Sequence, residues 1–447
     1  MMIALYIILG ILFFISYVVM MSMMIIFERD KPKNIIIWSV VFVLTHFVGY
    51  AIYVIIRHVF YKKRNSLKVK QKEDEIYAKL ISSKVYNNKA NFNHPVFDFN
   101  ALAFNTEVTA NNNYEIITDF VKLEDDLISS IANAKKYILF ELTKANANLF
   151  SKIKEAIIDK VKNNIEVKFV YDRYVAKSLI KELKRAGAKA YRFSKHNTVG
   201  RVYANFRNAI SVDGEVCYLA NFNITNKQMN SSKDKSNMFI KVKGDVVQYI
   251  DVALHKDTIF ASGKFVEYTQ KQKQEYNNNN FMQYVTNQIN NDLELVLIKA
   301  ICTAQKSVQL QLAQFIPTES IMSLLKFAIN SNIEVRLMVP LKNNRHGKYF
   351  ASRAYAKQLA LMGANVYLFD GYINYNAITI DNEYVISGSY VVDREHLNTS
   401  PQSMLLIKDS KSVKIFNDIF DNCVDNSYRI NNAKIMLLRE KFFKNFV

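Results

Sequence analysis

Cysteine is scarce in this chain: Cys217, Cys302 and Cys423 are the only three in 447 residues, scattered and odd in number. They lack metal-ligand spacing, which argues against a zinc site, and they do not suit a disulfide framework; a reducing interior is expected. Acidic side chains are also short, 40 Asp and Glu against 59 Lys and Arg, leaving a net charge of +19. A surface poor in carboxylates attracts polyanions such as acidic lipid headgroups, nucleic acid or phosphorylated substrates. Charge is missing altogether from Met1 to Phe27, and from Ile35 to Tyr61 the polar interruptions of note are Thr45, His46, Arg57 and His58. Each run reaches the roughly 20 apolar residues that cross a bilayer. The first run has no basic start and is followed by a second, so two spans are predicted rather than a cleavable signal peptide. The remainder, half apolar, has length enough for two or three domains with proper cores.

The connecting loop, Glu28 to Asn34, is short enough to force a helical hairpin with both ends on one side. After the second span come Lys62, Lys63, Arg64, Lys68, Lys70 and Lys72, against Arg29, Lys31 and Lys33 in the loop. The positive-inside rule then places the large body in the cytoplasm of a cell whose plasma membrane holds the hairpin, with the basic cluster against acidic headgroups. Arg57 and His58 can snorkel to the interface, and His46, deeper in the span, reads as a packed side chain.

Beyond a polar tether the chain repeats. Asn164-Ile165-Glu166-Val167-Lys168 matches Asn332-Ile333-Glu334-Val335-Arg336, and Phe206 to Asp213 matches Asn374 to Asp381 at the same offset. Ala186 to Phe193 matches Met362 to Phe369 in the same order at a slightly longer spacing, as a loop insertion produces. A period this long is a duplicated domain rather than a solenoid. In the first copy, 125–134, 153–162 and 178–186 have helical spacing, and 137–141 and 165–171 read as strands. In the second, 293–304, 320–330 and 352–361 read as helices, and 308–314 and 333–339 as strands. The fold class is therefore α/β. Residues 1–61 form the transmembrane helical hairpin, 62–113 the basic and polar tether, 114–267 the first α/β sandwich repeat, 268–280 a polar linker with four consecutive asparagines, and 281–447 the second repeat.

At this point the chain resembles the bacterial cardiolipin synthases of the phospholipase D superfamily, over nearly its whole length. The resemblance is carried by the amino hairpin with Glu28-Arg29 and Lys31-Pro32 at its turn and Val48 to Tyr53 in its second span. Asn133 to Lys136, Glu141 and Val170-Tyr171-Asp172 continue it, as do Phe315 to Ser320 and Tyr349 to Tyr355. It implies two phospholipase D-like repeats in a pseudo-twofold arrangement, each supplying one His-x-Lys-x4-Asp motif to a shared site. One histidine would attack the phosphodiester, the other would protonate the leaving alcohol, and the lysines would hold the phosphate oxygens, with no metal or other cofactor required.

Carried onto this sequence, the motif positions are Phe206, Asn208 and Asp213 in the first repeat and Asn374, Asn376 and Asp381 in the second. Neither histidine nor either lysine is present, and neither phenylalanine nor a carboxamide can replace imidazole as nucleophile or proton carrier. After the first motif the paired small residues are replaced by Ala220-Asn221, while Asn223 is kept; after the second, Gly388-Ser389 is kept, Val391 takes the asparagine position and Gln402 an acidic one. Asn208, Asn223, Asn376 and Ser389 are expected to contact a lipid headgroup, and both aspartates to cap backbone amides at a turn. Arg201, Arg207, Lys342 and Arg345 are candidates for an anion-binding cleft. His255-Lys256-Asp257 reads as a surface turn or helix end, His346 as a solvated loop residue, and His196 and His396 as loop residues that could approach the site.

The reading is a membrane-anchored cardiolipin synthase-like pseudoenzyme of phospholipid metabolism. Its expected partners are an anionic phospholipid, phosphatidylglycerol or cardiolipin, the membrane itself, and a catalytically active copy of the family. An active phosphatidyltransferase with a displaced nucleophile is the alternative. A membrane-associated nucleic-acid-binding protein ranks last, since no aromatic stacking signature with basic interleaving is present.

Overall fold

The computed structural model describes residues 2–28, 35–55, 75, 90–148, 150–193, 205–219, 235–264, 279–287, 293–341, 346–393, 397 and 400–430. The chain divides into two compact units, Met1–Val69 and Lys70–Val447.

The first unit holds helices α1 (Met2–Glu28) and α2 (Ile35–Ile55), both long and apolar enough to cross a bilayer. Met24, Phe42 and Tyr53 are buried where the two pack, with Tyr17, Trp38 and Tyr50 against them. Phe14, Ile26, Leu44 and Val48 face outward. Helices apolar on their exposed faces suit lipid rather than water, and this unit associates the protein with a membrane. His46, expected to be packed, is exposed on α2, its ring tilted toward those of Phe13 and Tyr17 with centroids 5.9 and 6.4 Å away.

In the second unit the helices are α3 (Pro95–Phe104), α4 (Phe120–Ala132), α5 (Ser151–Lys162), α6 (Lys177–Arg185), α7 (Val247–Ser262), α8 (Glu294–Thr303), α9 (Glu319–Asn330), α10 (His346–Leu361) and α11 (Ser410–Val424). The first eight strands are β1 (Thr109–Ile117), β2 (Tyr137–Ala145), β3 (Glu166–Val175), β4 (Lys189–Arg192), β5 (Ala209–Val212), β6 (Val216–Leu219), β7 (Lys235–Ser236) and β8 (Phe239–Gly244). Then follow β9 (Asn279–Thr286), β10 (Ser307–Leu312), β11 (Phe315–Ile316), β12 (Glu334–Pro340), β13 (Asn365–Phe369), β14 (Tyr372–Ile373), β15 (Asn376–Ile380), β16 (Tyr384–Gly388), β17 (Val392–Asp393), β18 (Ser403–Lys408) and β19 (Ser427–Arg429).

One 15-stranded sheet runs β19-β13-β12-β10-β15-β16-β18-β9-β1-β8-β6-β5-β2-β3-β4. Read outward from its middle, β1-β8-β6-β5-β2-β3-β4 on one side mirrors β9-β18-β16-β15-β10-β12-β13 on the other. The antiparallel β1–β9 pair therefore sits on the pseudo-twofold axis. Within each repeat, three neighbouring strands are parallel and linked by helices, and β2, with a neighbour on each side, is buried along most of its length. The repeats also share local turn chemistry: Asn164 and Asn332 are left-handed at φ 61° and 60°, and Gly187 and Gly363 follow α6 and α10 at φ 105° and 109°. Those are backbone conformations that Asn and Gly tolerate, which is why the matched segments are recognisable in sequence.

The predicted elements are all present, most with ends moved by one to a few residues; α10 begins at His346, earlier than expected, and α4 at Phe120. The segment 62–113 read as a tether contains an ordered helix, α3, and the start of β1. Val96, Phe97 and Phe104 of α3 bury into the core of the second repeat, beside Leu293, Val296 and Leu297. Another core joins the repeats, packing Ile250 and Leu254 of α7 with Phe416 and Phe420 of α11.

His94 caps α3, its Nδ1 accepting the Val96 N–H at 3.3 Å while its ring lies between Phe97 and Tyr384. Burial, and then the Lys408 ammonium, push the imidazole down from 6.5 to about 4 against the opposing pull of Asp98. Folding thus favours the neutral ring, and the stability so gained is complete above pH 6.5 and is lost as pH falls through about 4. A His94→Asn variant keeps a cap acceptor without this titration. Its unfolding free energy is expected to fall less between pH 6.5 and 4 than that of the parent, as urea titrations at several pH values would record.

Candidate functional site

Both motif stretches end in a β-hairpin whose turn needs positive φ. Asp213 and Gly214 join β5 to β6 at φ 53° and 58°; Asp381 and Asn382 join β15 to β16, both at φ 54°. The Asp213 carboxylate accepts the backbone N–H groups of Lys135, Lys136 and Tyr137 at 2.7, 2.7 and 2.9 Å. Asp381 accepts those of Gln305, Lys306 and Ser307 at 2.8, 2.6 and 2.8 Å. Each aspartate therefore caps backbone amides, as expected, but those of the helix-to-strand turn leading into β2 or β10. The local hairpin is not what it caps.

At the other end of each hairpin strand stand Asn208 and Asn376, at the positions where the motif expects lysine. Asn208 Oδ1 accepts the Thr143 N–H at 2.8 Å, and Asn376 Oδ1 accepts the Ala313 N–H at 2.9 Å. Their amide nitrogens donate to backbone as well, Asn208 to the Phe206 carbonyl at 3.1 Å and Asn376 to the Tyr390 carbonyl. Asn208 is 2% exposed and Asn376 0%. The two carboxamides correspond on the acceptor side, each oxygen taking a main-chain N–H at or just past the end of a central strand, and differ in their donor partners.

The motif stretches meet across the repeat boundary. The Ser389 hydroxyl donates to the Asn208 carbonyl at 3.3 Å, and the Phe206 N–H donates to the Pro401 carbonyl at 2.8 Å. Asn374 Nδ2 donates to Asn237 Oδ1 at 2.6 Å, next to the β7–β14 pairing of Lys235 with Tyr372 and Ser236 with Ile373. Phe206 and Asn374 are therefore each held by the segment just ahead of the opposite repeat's β18 or β8. Gln402, fully buried, accepts the Val391 N–H at 2.7 Å and receives no charge role. Phe206 and Asn374 are half-buried. Asn223, His196, His396, Arg201, Lys342 and Arg345 lie outside the described residues, as does most of the 268–280 linker.

Two expectations are corrected. Arg207 is not an anion-binding side chain: it is 0% exposed and ion-paired to Asp257. His255-Lys256-Asp257 is not a surface turn: all three are buried within α7. His255 Nδ1 lies 3.0 Å from the Asp251 carbonyl, and its ring meets Tyr137 edge-on, the residue whose N–H caps Asp213. That is the hairpin-turn end of β5, a strand's length from Asn208 at its start, so His255 does not stand in for a motif histidine.

The feature that sequence reasoning missed is the ionic cluster around Arg207. Asn205 Nδ2 donates to Asp257 at 2.9 Å, and its backbone N–H to Asp172 at 3.3 Å. Burial opposes ionisation of Asp257, but Arg207 and Lys256 outweigh it and hold its carboxyl below the ordinary range. Burial, reinforced by the negative Asp257, holds Glu141 on β2 well above the ordinary range. Arg207 is fully buried, whereas Phe206 before it is half-buried. The corresponding residues of the second repeat, Tyr375 and Gln311, are buried but carry no charge. Polar residues in a helix buried all round, as in Tyr249 to Ala261, were the available signal.

Two α/β repeats about a dyad, each bringing one hairpin to their shared boundary, define a phospholipase D-like fold. Residues 297–424 match a family model described as the phospholipase D-like domain of cardiolipin synthase. A cardiolipin synthase of Oceanobacillus iheyensis is 26% identical, covering 94% of this chain and 92% of its own length. The major cardiolipin synthase ClsA of Bacillus subtilis strain 168 is 27% identical, with 86% and 85% covered. Among solved structures, the phosphatidylserine synthase of Haemophilus influenzae Rd KW20 shares the fold, with a TM-score of 0.56 over 74% of this chain and 92% of that one at 11% identity. The chain is thus similar to bacterial cardiolipin synthases over most of its length, and its second repeat matches their phospholipase D-like domain.

Proposed function

We propose that this protein is a catalytically silent, membrane-anchored member of the cardiolipin synthase family that associates with anionic phospholipid. The observation that carries the reading is the matched fate of the two lysine positions, where Asn208 and Asn376 direct their carboxamides to the main chain. With Phe206 and Asn374 at the histidine positions, no group at these positions can attack phosphorus, relay a proton or neutralise a phosphate. Anionic phospholipid, phosphatidylglycerol or cardiolipin, follows from the family and from the net charge of +19. The two apolar helices support a hairpin anchor in the plasma membrane, and the basic residues after α2 support a body on the cytoplasmic side. The division into a 114–267 and a 281–447 repeat joined by a polar linker belongs to the same proposal, as does a catalytically intact family member as partner.

Asn208, Asn376 and Ser389, the expected headgroup contacts, are buried and bonded to backbone. Under this reading the headgroup contact at the former site is confined to whatever those bonds leave open. The competing reading, an active phosphatidyltransferase, draws its support from the cardiolipin synthase relatives that align over most of the chain. Purified full-length protein in phosphatidylglycerol vesicles separates the two. Mass spectrometry of the lipids is expected to find no cardiolipin above a protein-free control, and cardiolipin rising with protein concentration would sink the silent reading.

A further inference from the structure

The helix α6 carries a cationic stripe that the fold does not use. Leu179, Ile180 and Leu183 bury one side of it in the first repeat's core. Lys177, Lys181, Lys184 and Arg185 fall at i, i+4, i+7 and i+8, on the opposite side, and all four are exposed. None of them has an acidic partner among the described residues. The one acid of the helix, Glu182, is taken by Lys154 of α5 at 2.6 Å. The neighbouring α5 exposes Glu155 and Asp159 together with Lys162, so the concentration of positive charge belongs to α6 alone. The equivalent helix of the second repeat, α10, has Arg353, Lys357, Ala360 and Leu361 at the corresponding positions. There Arg353 is half-buried and donates to the Tyr349 hydroxyl at 2.7 Å. The stripe is therefore not something the repeat needs to fold.

We infer that the α6 face is a docking surface for an anionic lipid bilayer, with Lys177, Lys181, Lys184 and Arg185 set against headgroup phosphates. Four unpaired cations clustered on one helix repel one another in water, and an acidic surface relieves that repulsion. The chain bearing them also carries two helices of membrane-crossing length, so an acidic bilayer is the polyanion nearest to hand. The inference rests on the membrane association proposed above and is independent of whether the former site performs chemistry.

The test uses the full-length protein reconstituted in vesicles of phosphatidylcholine alone or of equal parts phosphatidylcholine and phosphatidylglycerol. A water-soluble amine acetylating reagent is applied, and modification of Lys177, Lys181 and Lys184 is measured relative to Lys326, an exposed lysine of α9 in the same molecules. That ratio is expected to drop about threefold or more in the phosphatidylglycerol vesicles and to recover in high salt. Charge reversal by Lys181→Glu, Lys184→Glu and Arg185→Glu together is expected to abolish the protection of Lys177 in a protein that still unfolds cooperatively, because all three side chains are exposed. Equal ratios in the two vesicle types would overturn the proposal. So would protection by an added single-stranded oligonucleotide in phosphatidylcholine vesicles with none from phosphatidylglycerol, which would assign the face to nucleic acid. The readout does not depend on cardiolipin formation, so its failure and that of the silent reading are distinguishable.

Discussion

Replacing Asp213 by alanine is expected to cost about 3–5 kcal/mol of folding stability, and Asp381→Ala a similar amount. Each carboxylate accepts three backbone N–H groups at the turn into a central strand. Bonds to an ionised acceptor are worth more than neutral ones, and three of them are lost together. The turn also asks for positive φ at this position, which Asp tolerates better than Ala. Asp213→Asn keeps one acceptor oxygen and the turn propensity, so it should fall between the parent and the alanine variant. Urea unfolding in mild detergent measures all three. An alanine variant as stable as the parent would mean that the aspartates persist for a reason other than architecture.

The second large effect is at Arg207. Its guanidinium is fully buried against Asp257, with Lys256 close by and Glu141 facing the same carboxylate. Truncation by Arg207→Leu leaves Asp257 without its main counter-charge in a low-dielectric interior, and is expected to destabilise by about 3–5 kcal/mol. Removing both charges, Arg207→Leu with Asp257→Leu, should recover much of that loss, since a buried pair is worth far less than the cost of orphaning one partner. Glu141 adds a pH signature of definite sign. Its folded-state pKa lies well above its ordinary value of 4.5, so the folded protein binds a proton that the unfolded chain releases, and stability falls as pH rises from 4.5 through the folded value. Glu141→Gln removes that decline, visible as a flatter curve of unfolding free energy against pH. A double variant no more stable than Arg207→Leu alone would contradict the pairing.

Much of this architecture could be read from residues. The left-handed Asn164 and Asn332, and the glycines after α6 and α10, are fixed by backbone geometry, so they recur at matched positions and expose the duplication. Helices with one apolar stripe, such as α5 and α9, and the strands that follow them announced themselves by period. Less was visible where tertiary context decides. The helix α3 is short, and its Val96, Phe97 and Phe104 are buried only because a helix of the second repeat lies beneath them, a partner nearly two hundred residues away in sequence. The helix α7 is buried all round, so its His255, Lys256 and Asp257 looked like surface residues until Arg207 and Glu141 supplied their surroundings.

The candidate site divides the same way. That Phe206, Asn208, Asn374 and Asn376 stand where the motif expects histidine and lysine could be read from the sequence, because it concerns residue identity. What the replacements do instead is a matter of direction, and the turn of Asn208 and Asn376 onto Thr143 and Ala313 could not be inferred from their amide chemistry. Asparagine at a former phosphate-holding position suggests a weakened headgroup contact; in place, it completes the hydrogen bonding of the sheet.

Trapping of a covalent lipid intermediate tests the account most directly. The full-length protein is incubated with phosphatidylglycerol vesicles, quenched in denaturant and weighed intact by mass spectrometry. The expected result is a single species at the unmodified mass, before and after every incubation time. A phosphatidyl adduct mapped to any histidine of the chain would contradict it and restore the protein to the working transferases.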